Sequence, residues 1–171
     1  MSRLALSVEG NENLSESTVL KTVEFRAGDT YRVSQLQEAQ ARLFGLGIIR
    51  SASVIPDFRT GPDSVIPVAV RLQEGDLHRV RTGAGWSTAE CFDADARWVN
   101  RNYFGGGRRL QVRGRVSNIL ANGFHEMLCP QSGSDEFGQL NGILSADFTQ
   151  PWIFSTRNSF QASLYAERQS L

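Results

Sequence analysis

Leu4, Leu6 and Val8 alternate with Arg3, Ala5 and Ser7, the two-residue period of a half-buried strand. Gly10-Asn11 ends it. Ser15 then offers a helix N-cap, with Glu16 in the first turn and Thr18 at the third helical position. Val19, Leu20 and Val23 set the apolar side of that short helix. After the Gly28-Asp29 break, Val33-Ser34 opens a second helix. Its expected cap is Ser34, its expected buried side is Leu36, Ala39, Ala41, Leu43 and Phe44, and Gly45 and Gly47 close it. Ile48 to Ile55 reads as a strand closed by Pro56-Asp57, and Thr60-Gly-Pro-Asp63 as a turn. Ile66, Val68, Val70 and Leu72 alternate with Pro67, Ala69 and Arg71 in a third strand. The order β-α-α-β-β predicts an α+β domain in which the last two strands pair as a hairpin and two helices cover one face of a small sheet. Residues 1–75 would form it, near the lower size limit for an independent core.

From residue 76 to 171 the period changes to strict alternation, with no helical stretch expected. Val80, Thr82, Ala84 and Trp86 share one face, against Arg79, Arg81, Gly83 and Gly85. Phe92, Ala94, Ala96 and Trp98 share the next, against Asp93, Asp95, Arg97 and Val99. Leu110, Val112, Gly114 and Val116 then oppose Arg109, Gln111, Arg113 and Arg115. Gly142, Leu144, Ala146 and Phe148 follow, and finally Phe160, Ala162, Leu164 and Ala166. Each strand thus has an apolar and a polar face. The polar faces carry both signs of charge, and Trp86 and Trp98 lie near strand ends. Two architectures accommodate this: a soluble β-rich module with a wet charged face, or membrane-spanning strands around a water-filled lumen. The strands have about the 9–11 residues that a tilted outer-membrane strand needs. Between the second and third, Trp98-Val-Asn-Arg-Asn-Tyr-Phe-Gly-Gly-Gly-Arg-Arg-Leu110 reads as a tight hairpin turn at Gly105, Gly106 and Gly107.

Composition removes other classes. Formal net charge is zero, so no basic field argues for nucleic acid. Cys91, Cys129, His78 and His125 match no common zinc spacing, and no metal or cofactor is expected. Gly105-Gly-Gly-Arg-Arg109 lacks the Lys-Ser/Thr of a phosphate loop, and no GxSxG elbow or other catalytic constellation is present. An enzyme is the least favoured class.

Four stretches of the first segment, Val8-Glu-Gly-Asn11, Gly28-Asp-Thr-Tyr31, Leu43-Phe-Gly-Leu-Gly47 and Val68-Ala-Val-Arg-Leu-Gln-Glu-Gly75, resemble a POTRA domain. Gly83-Ala-Gly-Trp-Ser-Thr88, the Trp98–Leu110 hairpin and Phe148-Thr-Gln-Pro-Trp-Ile-Phe154 are similar to the opening strands of the BamA/TamA-type outer-membrane assembly superfamily. The resemblance covers essentially the whole chain. It implies a POTRA-like periplasmic domain at 1–75 and the first strands of a transmembrane β-barrel at 76–171. Because an open sheet with lipid-facing surface leaves edges unsatisfied, the chain is read as a fragment of a longer protein.

The resemblance also implies function and sides. Client polypeptides would add a strand at the POTRA-like edge, Ile49, Ser51, Ala52, Ser53 and Val54. The strand Val80, Thr82, Gly83, Ala84, Gly85 and Trp86 would form one side of a lateral seam, loosened by its two glycines. The Gly105–Gly107 turn would be periplasmic. The segment from Asn118 to about Gln139 would be extracellular, which puts Cys91 and Cys129 on the oxidising side and makes a disulfide between them a candidate, with two free thiols as the alternative. The expected partners are unfolded outer-membrane proteins or secreted polypeptides, accessory assembly subunits and outer-membrane lipid, in a bacterial outer membrane more than an organellar one. A two-partner secretion transporter is the alternative within the fold, and a soluble β-rich binding module the alternative outside it.

Overall fold

The computed structural model describes residues 3–59, 65–124, 127–129 and 140–169. They divide into two compact units. The first is Met1–Leu77 with Arg101–Arg109 and Thr149–Phe160; the second is His78–Asn100, Leu110–Phe148 and Gln161–Leu171. The contacts therefore divide the chain differently from a single cut after residue 75, because two turn segments from later in the chain belong to the first unit.

In the first unit the order is β1 (Arg3–Glu9), α1 (Glu16–Val23), α2 (Val33–Gly45), β2 (Ile49–Pro56) and β3 (Val65–Glu74). The sheet order is β1-β3-β2. β1 runs parallel to β3, with Leu6 beside Val68 and Val8 beside Val70. β2 runs antiparallel to β3 as the expected hairpin. α1 packs on α2 and α2 on β2. Leu4, Val19, Val23, Leu43, Ile48, Val68 and Val70 form the centre of the core.

Ser15 caps α1, its hydroxyl accepting from the Thr18 amide at 3.3 Å. Thr18, Val19, Thr22 and Val23 are the buried side of α1, so Leu20 is displaced from the centre of that face. The α2 expectation needs two corrections. Its cap position is Arg32, without a side-chain cap bond, so Ser34 is already inside the helix. Its buried side is Leu36, Ala39 and Leu43, whereas Ala41 and Phe44 are exposed. At about 100° per residue, Ala41 falls opposite the Leu36–Leu43 stripe and Phe44 at its margin.

Glu74, at the end of β3, clasps the loop before α1. Its carboxylate accepts from the amides of Glu12 at 3.1 Å, Asn13 at 2.8 Å and Leu14 at 2.9 Å. A carboxylate suits this role because it only accepts and has several lone pairs for converging N–H groups. The Gln-Glu-Gly ending of β3 thereby fixes the β1–α1 connection.

The second unit is built from β4 (His78–Ser87), β5 (Cys91–Asn100), β6 (Arg109–Ile119), α3 (Ala121–Phe124), β7 (Asn141–Gln150) and β8 (Phe160–Arg168). Their order in the sheet follows the chain, β4-β5-β6-β7-β8. The single helical turn α3 departs from the all-alternating expectation. The Thr60–Asp63 turn and most of the segment up to Gln139 lie outside the described residues.

Candidate functional site: the free sheet edges

β2 occupies one edge of the first sheet. Along it Ile49, Ala52 and Val54 are buried on the core side, Ser51 is exposed and Ser53 half-buried. The register with β3 shifts between Ile49 and Ser51, making Arg50 the extra residue of a bulge. Arg50 is exposed and lies 3.5 Å from Asp76. A bulge and a charge are the usual means of blunting a strand edge. The regular part of the edge available to another strand therefore begins at Ser51.

β4 is an edge of the second sheet, and all 10 of its residues are exposed. It pairs antiparallel with β5 over its full length. Val80, Thr82, Ala84 and Trp86 stand opposite Trp98, Ala96, Ala94 and Phe92. Trp98, Ala96 and Ala94 in turn face Val112, Gly114 and Val116 of β6. The apolar residues form continuous rows because successive side chains alternate faces and the register never slips within Ala94–Asn100.

On the opposite face, Gly83 lies beside Asp95 and Gly85 beside Asp93. A Cβ added at either glycine would meet the neighbouring aspartate Oδ1 at 2.6 Å. The glycines leave room for two carboxylates to lie over the backbone of β4. Asp93 reaches Arg115 at 3.7 Å, and Arg115 binds Glu90 at 2.6 Å. Gln111 donates to Asp147 at 3.4 Å, and Ser163 donates to the same carboxylate at 2.7 Å. Like charges also adjoin on this sheet, since Arg81, Arg97 and Arg113 stand in one cross-strand row.

The Gly105–Gly107 turn has φ of +76°, +68° and +72°, a left-handed run that begins at Phe104 with +57°. Only glycine adopts such a conformation without steric cost. Asn102 Oδ1 accepts from the Gly107 amide at 2.8 Å, and the Tyr103 amide donates to the Arg108 carbonyl at 2.8 Å. Asn102 Nδ2 donates to the Asn13 carbonyl at 2.9 Å. The Gln150-Pro-Trp turn also packs on the first core, with Trp152 against it and Lys21 5.4 Å from the Trp152 ring. Alternation flagged both turns but carried no signal for these long-range contacts.

Cys91 and Cys129 are bonded in the structure, with Cα atoms 5.1 Å apart. Both are fully buried, with Ala121, in a small cluster bordered by Phe92. Among the described residues, no group of three or more His, Cys, Asp and Glu is arranged to hold a metal ion.

Residues 5–75 match the POTRA family, described as surface antigen variable number repeat. A protein of Treponema pallidum (strain Nichols), provisionally named an outer membrane protein assembly factor, is 21% identical over 117 residues, covering 65% of this chain and 14% of its own length. Among solved structures, BamA from Haemophilus ducreyi lacking POTRA domains 1–3 superposes with a TM-score of 0.62 at 15% identity, over 97% of this chain and 27% of that one. CdiB from Acinetobacter baumannii superposes at 0.59 and 16% identity, over 96% and 28%. The chain thus spans a minor part of the length of each of these relatives. Its class is a POTRA domain followed by antiparallel barrel-type strands, the fold of a BamA fragment.

Proposed function

We propose that this chain is the part of an outer-membrane assembly factor in which the POTRA domain meets the first barrel strands, and that it handles client polypeptides by strand addition. The observation that carries the proposal is the order of the elements: the POTRA domain is followed directly by five antiparallel strands that pair in chain order, with β4 at one edge. Main-chain N–H and C=O groups on such an edge bind an extended peptide with little regard to its sequence, as an assembly factor with many clients requires. In this reading Ser51 to Val54 captures clients in the periplasm, and Val80 to Trp86 receives their strands at a lateral seam within the outer membrane. The periplasmic placement of the POTRA domain, the accessory subunits and the clients belong to the proposal. The function is non-covalent and uses no cofactor.

A photo-crosslinker at Thr82, and separately at Ser53, tests it in cells. Adducts with nascent outer-membrane proteins at both positions support the proposal. Absence of such adducts at both overturns it. The likeness to CdiB favours a second reading, a two-partner secretion transporter. An adduct restricted to one large secreted polypeptide would select that reading.

A further inference from the structure

The two halves of the β4 edge carry opposite charge. On the polar face of the sheet, β4 presents Arg79 and Arg81 in its first half and Gly83 and Gly85 in its second. Arg81 is backed by Arg97 and Arg113 in the same cross-strand row. Among the described residues, none of Arg79, Arg81, Arg97 and Arg113 has an acid within ion-pair distance. In the second half β4 has no side chain on this face, and aspartates of β5 take the space. Asp95 Oδ1 sits 2.6 Å from where a Gly83 Cβ would be, and Asp93 Oδ1 2.6 Å from where that of Gly85 would be. Asp93 shares Arg115 with Glu90, and Asp95 has no ion pair among the described residues.

A strand laid along β4 would meet this pattern directly. Opposite charges stabilise a cross-strand pair, and like charges directly opposite destabilise it. The apolar face of β4 cannot fix a register by itself. Val80, Thr82 and Ala84 recur with the two-residue period, so a slip of two residues keeps every side chain on its own face. Such a slip does change the charge match, because an edge that reads cation, cation, acid, acid has one best register. β5 pairs antiparallel with both its neighbours. A strand that continues this pattern beyond β4 runs against it, so its N-terminal half falls beside Gly83 and Gly85 and its C-terminal half beside Arg79 and Arg81.

We propose that the β4 edge selects strands whose polar face carries cations in the N-terminal half and carboxylates in the C-terminal half, and that this charge match sets the register of the added strand. The inference rests on the strand-addition reading above and names the chemistry of its partner at β4.

The test measures binding of fluorescent peptides to the full chain in detergent by anisotropy. The peptides are Lys-Val-Lys-Thr-Glu-Val-Glu, its reversed sequence Glu-Val-Glu-Thr-Lys-Val-Lys, and a version with Gln at every charged position. The first two have the same composition and net charge. The first is expected to bind at least about tenfold more tightly than the second at low salt. That preference should fall below about twofold in roughly 0.5 M salt. Arg79→Glu with Arg81→Glu makes the edge acidic throughout and should abolish the preference; both side chains are exposed, so circular dichroism should be unchanged. Equal binding of the first two peptides, or a preference that persists at high salt, overturns the charge selection and leaves strand addition standing. Binding of none of the peptides, including the case in which two copies of the chain pair through β4 and exclude them, overturns both.

Discussion

Reduction of the Cys91–Cys129 bond offers a perturbation whose size follows from the chain itself. The cysteines are 38 residues apart. Opening a loop of that length returns to the unfolded chain entropy worth about 4 kcal/mol near room temperature in the chain-entropy treatment. In a chain of this size, about 2–4 °C of melting temperature accompany each kcal/mol, so a fall of about 10 °C is expected. The bond is also fully buried. A mild reductant should therefore act slowly on the folded protein and quickly once it opens. Tryptophan fluorescence of the detergent-solubilised chain, melted with and without a phosphine reductant, reads the shift. Cys91→Ala with Cys129→Ala should reproduce it and abolish the dependence on reductant. The reasoning is refuted if unreduced protein takes up iodoacetamide at Cys91, or if melting is the same with and without reductant.

Three further substitutions test the local arguments. Glu74→Ala leaves the amides of Glu12, Asn13 and Leu14 without their acceptor; a loss of about 1–3 kcal/mol is expected, with faster hydrogen exchange at Leu14. Gly10→Ala puts a Cβ 2.1 Å from the Leu72 carbonyl oxygen at a φ of +82°. With no flexible group to yield, about 3 kcal/mol or more should be lost in a chemical denaturation of the chain. Gly83→Ala meets only the Asp95 carboxylate, at 2.6 Å, and that carboxylate can rotate aside. Its cost should stay under about 1 kcal/mol in the same assay, and a cost equal to that of Gly10→Ala would contradict the geometry.

The alternation of apolar and polar residues determined most of the architecture. Strand identity, faces and order were legible from Leu4 to Leu72 and from Val80 to Ala166, because a period of two is a local property that burial on one face imposes directly. The Ser15 cap was legible for the same reason: its partner is Thr18, three residues away. Ala41 and Phe44 were misjudged because hydrophobicity alone does not say which arc of a helix meets the sheet. The POTRA resemblance lay in short turn motifs, whose glycines and acids have local causes.

Tertiary structure alone decided the rest, because those contacts join residues far apart in the chain. Glu74 reaching Glu12, Asn102 reaching Asn13 and Arg108 reaching Gln150 leave no periodic trace. The two aspartates over Gly83 and Gly85 emerge only when the β4–β5 register is known, since a slip of one residue would send them to the other face. The membership of residues 101–109 and 149–160 in the first unit is of the same kind. Local pattern specified which segments are strands; the register and the long-range polar contacts specified which residues they bring together.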